Sequence, residues 1–154
     1  MGRIVRRVRQ AGVYFVTSDT WQRRAIFSKE GPAKIVVEQL VDCRKRGFFM
    51  LHAFVVMPDH FHALLTPGDE TSLEKAMQMI KGGSAFRIKK ELLYQWPVWH
   101  AGYHDRWIRD AHEYAAKKKY VESNPVAAAL CGQVQEYPYG SASGEFEMDM
   151  SQFD

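Results

Sequence analysis

Two histidines separated by one apolar residue, His60-Phe61-His62, lie in the stretch VVMPDHFHALLTP, residues 55–67. In a β-strand, side chains alternate between faces. Both imidazoles therefore project to one side, while Phe61 and Ala63 project to the other and anchor the strand in a core. Two imidazoles on one strand face can hold a metal ion together. A chance His-x-His pair is the bland alternative, because the constraint spans only two positions. Far downstream stands a second group, YVESNPVAAAL, residues 120–130. Tyr120 and Asn124 are four apart, so on a helix they share a face, and Lys117 lies one turn earlier on that side. A tyrosine can act as a covalent nucleophile when its hydroxyl, with a free pKa near 10, is activated. A divalent metal on the electrophile reduces that demand, and the amide oxygen of Asn124 could complete a two-histidine metal site. Each residue also has a structural reading. Asn124-Pro125 is a good N-cap and first-turn pair for a short helix VAAAL, Tyr120 can pack on a sheet, and Lys117 can belong to the exposed run continued by Lys118 and Lys119. Tyr114, six residues before Tyr120, points elsewhere around the helix, so the two cannot serve one site.

These residues need elements to place them. Residues 12–17, GVYFVT, read as a first strand. Val36, Val37, Leu40 and Val41 repeat at helical spacing, predicting an amphipathic helix over 32–46, with basic residues in its last turn and Gly47 ending it. Residues 48–57, FFMLHAFVVM, form a nearly continuous apolar run, expected as a strand buried on both faces. His52 within it reads as a satisfied core residue. Met57-Pro58-Asp59 is the turn into the histidine strand, which pairs antiparallel with its predecessor. Ser72 caps a long helical pattern. Gly82-Gly83 interrupts it, suggesting a kink or a close approach by another backbone. Trp96-Pro97-Val98-Trp99 is an aromatic loop, and residues 102–108 read as a fourth strand carrying His104 and Trp107 on opposite faces. Asp110, with Glu113 as capping-box partner, starts a last helix expected to run to about Ser123, since Pro125 disfavours helical geometry before it.

Length and composition suit one ordinary globular domain over residues 1–140. A basic arm over 1–11 opens it and an acidic, mobile tail over 141–154 follows. Cys43 and Cys131 have no CxxC spacing, which argues against a zinc knuckle or disulfide framework and fits a reducing cytoplasm. No apolar run approaches the length of a membrane span. Charge is unevenly spread. Residues 1–46 hold 11 Lys/Arg against 4 Asp/Glu, residues 47–143 balance at 10 each, and residues 144–154 carry four acids and no base. A basic first third suits a polyanion such as nucleic acid, although a solvated charged face gives the same count. Candidate DNA contacts are Arg3, Arg6, Arg7 and Arg9 in the arm, and Trp21, Arg23 and Arg24, where an aromatic beside two arginines can stack a base and hold phosphates. Lys81, Arg87, Lys89 and Lys90 could form a second patch, with Lys117 near the tyrosine.

The pairing of VMPDHFHALLTP with GYHDRWIRD and YVESNPV resembles the single-tyrosine HUH transposases, named for a His-hydrophobic-His motif. The NPV after the tyrosine, the KGGSAFR segment and the PYGSAS ending are similar to the REP-associated tyrosine transposase branch. The resemblance runs from about residue 12 to about 140. It implies an α+β, ferredoxin-like fold in the order β1α1β2β3α2β4α3, which agrees with the elements read above. It implies cleavage and joining of single-stranded DNA at hairpin-forming palindromic repeats. Tyr120 would attack phosphorus to give a 5′-phosphotyrosine and a free 3′-hydroxyl, and His60, His62 and Asn124 would hold Mg²⁺ or Mn²⁺. Relatives place glutamine where Asn124 stands, and the shorter side chain reaches less far. Two imidazoles also suit transition metals better than magnesium. Rival readings are a domesticated protein that grips DNA hairpins without cutting, and an unrelated His-x-His metallohydrolase in which Tyr120 is structural. Some relatives are helix-swapped dimers and the REP-associated branch works as monomers, so monomer and homodimer are both expected forms.

Overall fold

A computed structural model describes residues 10–154, and the basic arm with Arg3, Arg6, Arg7 and Arg9 lies outside the described residues. Four strands form one antiparallel sheet: β1 (Tyr14–Asp19), β2 (Phe49–Met57), β3 (His60–Pro67) and β4 (His104–Trp107), in spatial order β2-β3-β1-β4. Three helices complete the domain: α1 (Glu30–Lys45), α2 (Leu73–Leu92) and α3 (Ala111–Ala127). This is the expected ferredoxin-like arrangement.

The sheet is apolar on both faces because it is covered on both. On one side Tyr14, Val16, Phe61, Ala63 and Leu65 meet the buried faces of α1 and α2, including Val36, Leu40, Met77 and Ile80. On the other, Val13, Ala53, Val55 and Leu64 pack with Ile108, Tyr114, Val121 and Tyr137. This second layer brings α3 onto the face that carries the histidines. A β-bulge in β2 sets the parity: Leu51 pairs with Leu65 and Ala53 with Leu64, so His52 is the extra residue. A bulge residue leaves the ladder and re-aims its side chain. His52 is indeed satisfied, its Nδ1 lying 2.8 Å from the Asp149 carbonyl oxygen and its Nε2 2.8 Å from Thr66 Oγ1.

Three expectations change in the folded chain. The Gly82-Gly83 pair neither kinks nor breaks α2, which is continuous across it. What comes close at Gly83 is a side chain: a Cβ there would stand 2.0 Å from Gln39 Nε2, and that buried amide donates to the Met79 carbonyl at 2.9 Å. The tyrosine helix does not stop at Ser123. Pro125 lies inside α3, and Asn124 is a helical residue whose carbonyl accepts the Ala128 N–H, so Asn124 is not the N-cap of a following helix. Pro125 has no N–H for the Val121 carbonyl, so α3 gives up one internal hydrogen bond there and runs on for only two more residues.

Residues 141–154 are not a free tail. β2 is an edge strand, and its outer backbone groups need partners. Val56 N–H donates to Tyr139 O, Phe54 N–H to Ser141 Oγ, and Asp149 N–H to Leu51 O. The Asp149 carboxylate accepts two hydrogen bonds from Arg44, at 2.8 and 2.9 Å, and one from Leu51 N–H. Arg44 holds its pKa below the usual carboxylate value. The acidic composition that suggested a solvated tail therefore serves an ion pair and an edge strand.

Candidate active site

The histidines sit where the β1–β3 register puts them. Asp19 lies opposite His60 and Thr17 opposite His62. His62 Nδ1 is 2.7 Å from Thr17 Oγ1. His60 Nδ1 is 2.7 Å from Asp59 Oδ1. A carboxylate only accepts, so Nδ1 of His60 is the donor in this contact. The two rings are 4.7 Å apart between centroids. His62 is 5% exposed, and its pKa is pushed down to about 3, first by burial and then by the nearby His60 and Lys117. It is a neutral imidazole at any physiological pH. Its Nε2 is a buried atom without a hydrogen-bond partner. Such an orphan is costly unless something occupies it.

That orphan is what a metal ligand looks like before the metal is bound, and each histidine has the oxygen partner on Nδ1 that metal-binding histidines use to fix their tautomer. The pair thus fits a divalent ion. Among the described residues, no group of three or more His, Cys, Asp or Glu side chains is placed to hold one. A third protein ligand would have to be of another type, and Asn124, one turn beyond Tyr120 on α3, is an amide-bearing residue of that helix.

The helix delivers the other half. Val121 and Pro125 bury one side of α3 against the sheet, which turns Tyr120 toward β3. The Tyr120 ring lies 5.3 Å from that of His62, edge to face, and is 49% exposed. Phe15 of β1 completes the cluster: its ring stacks on His62 at 5.2 Å, meets the edge of Tyr120 at 6.2 Å, and has the Lys117 ammonium 4.9 Å above its centroid. Nucleophile candidate, imidazole pair and cation therefore converge within one chain. Tyr114 does not compete. It is buried, donates to Asp154 Oδ2 at 3.1 Å, and has its pKa raised to about 12 by burial.

The candidate DNA contacts divide. Arg24 lies over Trp21 and Trp96, with its guanidinium carbon 4.8 and 4.9 Å from their centroids. Arg23, still exposed, pairs instead with Asp19 at 2.6 Å and with Asp59 at 3.2 Å. It thereby holds the carboxylate that holds His60. Lys81 and Arg87 do not make a phosphate-binding patch. The Lys81 ammonium donates to the carbonyls of His100 and Gly102, and burial lowers its pKa. Arg87 is ion-paired with Glu91 and Glu38. Lys89 and Lys90 are exposed in the last turn of α2. Phe15, Thr17 and Asp59 were missed as site residues. Alternation alone sets Phe15, Thr17 and Asp19 in one row, but only the register sets that row beside the histidines.

The fold and this cluster define a ferredoxin-like domain with a histidine-bearing strand beside a tyrosine-bearing helix. Residues 12–124 match the family model described as IS200-like transposase, and the chain belongs to that family. Among solved structures it is similar to a REP-associated tyrosine transposase bound to a REP hairpin, with 20% identity, a TM-score of 0.72 and coverage of 98% of this chain and 92% of that one. It is also similar to a candidate transposase from Deinococcus radiodurans R1, with 24% identity, a TM-score of 0.57 and coverage of 79% and 97%. No curated protein matches the sequence. Among the described residues, no helix is long and apolar enough to cross a membrane.

Proposed function

We propose that this transposase-family chain cuts and rejoins single-stranded DNA at hairpin-forming repeats through a covalent bond to Tyr120. The observation that carries the reading is the 5.3 Å approach of the Tyr120 ring to His62 within one chain. A structural tyrosine at this position would be buried like Tyr114, whereas Tyr120 is half open to solvent. The REP hairpin bound by the similar transposase supports a hairpin as the partner.

In the forward step, the Tyr120 oxygen bonds to the scissile phosphorus and the bond from phosphorus to the 3′ oxygen breaks. The phenolic proton leaves to solvent, which reaches the half-exposed ring, and the departing 3′ oxygen takes up a proton. The product is a 5′-phosphotyrosine and a free 3′-hydroxyl. Attack by another 3′-hydroxyl reverses these bonds and joins strands without ATP, because the phosphodiester is exchanged rather than hydrolysed. His60, His62 and Asn124 are the residues that would hold Mg²⁺ or Mn²⁺, which supplies charge neutralisation at the phosphate. The imidazoles favour manganese of the two. Asp59 and Thr17 fix the two rings, Lys117 meets phosphate charge beside the tyrosine, and Phe15 holds these groups together.

The test is single-turnover reaction of a hairpin-containing oligonucleotide with Mn²⁺, followed by a denaturing gel. The parent protein should form a covalent adduct and Tyr120→Phe none. An adduct that survives in Tyr120→Phe removes the assignment. Tight hairpin binding with no adduct under any divalent metal would instead make this chain a non-cleaving hairpin binder.

A further inference from the structure

A second aromatic surface lies beside the histidines. Trp21 follows β1 directly, and Trp96 belongs to the loop after α2. Their indoles are nearly parallel, 12° apart, with centroids separated by 6.2 Å. Arg24 lies against both rings. Among the described residues Arg24 has no carboxylate partner, in contrast to Arg23 between its two aspartates. Trp96 is 52% exposed. A large ring left half in water, stacked on a second ring and bordered by an uncompensated cation, matches the chemistry of a nucleobase platform.

The backbone fixes this surface relative to the site. Trp21 N–H donates to Val98 O at 3.0 Å, His100 N–H to Asp19 O at 2.9 Å, and Thr20 N–H to Asp59 O at 2.9 Å. The aromatic loop, the turn after β1 and the residue preceding His60 are thus one hydrogen-bonded unit. Within that turn Gln22 and Arg23 both adopt left-handed backbone, with φ of 56° and 54°. Side-chain-bearing residues rarely do this twice in succession. The reversal brings Arg23 to Asp19 and Asp59 and Arg24 to the two indoles.

We propose that Trp96, backed by Trp21, stacks one unpaired nucleobase of the strand entering the site, while Arg24 meets an adjacent phosphate. The inference rests on the reading that the substrate is a hairpin with single-stranded flanks, and it assigns the residues that grip a flank. Stacking on an indole face accepts any base, so the platform sets position along the strand rather than sequence.

The experiment compares two fluorescent probes by anisotropy: a hairpin with single-stranded flanks and the same hairpin without them. Trp96→Ala should weaken binding of the flanked probe by about tenfold, leave the unflanked probe unchanged and keep the parent's melting temperature. Trp96→Phe should retain most of the affinity, and Arg24→Gln should weaken the flanked probe alone. An abasic scan of the flanks should find one position whose loss weakens the parent by the same factor and has no further effect on Trp96→Ala. Equal weakening of both probes, unchanged binding of the flanked probe, or the lack of such a position overturns the proposal. A flank-dependent loss in a protein that forms no Tyr120 adduct would leave the platform standing and remove the strand-transfer reading instead.

Discussion

His62 has a price in stability that its location makes visible. Its pKa is near 3 in the folded protein against about 6.5 in an unfolded chain. Between these values the unfolded state binds a proton that the native state does not. Stability therefore falls as pH drops below about 6.5, and the loss continues toward pH 3. Between pH 7.5 and 5 this one group should remove roughly 2 kcal/mol. His52, whose pKa burial also lowers, adds to the trend. Thermal melts across this range should show the decline, and His62→Asn should show a shallower one. An unchanged slope in His62→Asn would mean that other groups dominate. The cluster thus carries a buried imidazole, with one unpartnered nitrogen, that weakens the fold in acid.

At the scale of elements, the glycine pair in α2 separates two effects that look identical in sequence. Gly82 is exposed and a Cβ there meets nothing within 4 Å, so Gly82→Ala should stabilise by about 0.5–1 kcal/mol through helix propensity. Gly83→Ala gains the same propensity but drives the Gln39 amide from its place against Met79 O. Leaving that buried amide unsatisfied costs about 1–3 kcal/mol, so the net effect should be destabilising by roughly 1 kcal/mol. Urea denaturation of both variants checks the pair, and equal shifts of one sign would refute the argument. The α1–α2 contact matters for function only indirectly, since it clamps the face of the sheet opposite the histidines.

For the molecule as a whole, the C-terminal segment is part of the domain. Removing the Asp149 carboxylate leaves Arg44 and Leu51 N–H without their partner. Asp149→Ala should cost about 2–3 kcal/mol, read as a lowered denaturation midpoint. Tyr120 also meets His62 within one chain, because α3 packs on its own sheet. Mixing Tyr120→Phe with His62→Ala should therefore restore no adduct, whereas two copies exchanging helices would restore it. Restoration on a covalent-adduct gel would show that the active form shares α3 between copies.

The sequence by itself determined the strand that presents His60 and His62, the helix that presents Tyr120, and the order of elements that makes a ferredoxin-like sheet. These are local properties: alternation, helical spacing, caps and turns act within a few residues. Tertiary structure decided the rest. It took the β1–β3 register to set Thr17 and Asp19 opposite the histidines, and packing of α3 to bring Tyr120 and Lys117 to Phe15. The distant partners of the charges were likewise beyond local rules. Arg23 and Arg87 each have one partner four residues away, Asp19 and Glu91, which spacing permits, but Asp59, Glu38 and the carbonyls that hold Lys81 come from other turns of the chain, and Arg24 lies against two indoles. The acidic end read as solvated until an edge strand and Arg44 gave it partners. Partner choice at long sequence separation depends on which surfaces the fold brings together, and a count of charges or a short motif carries no information about that.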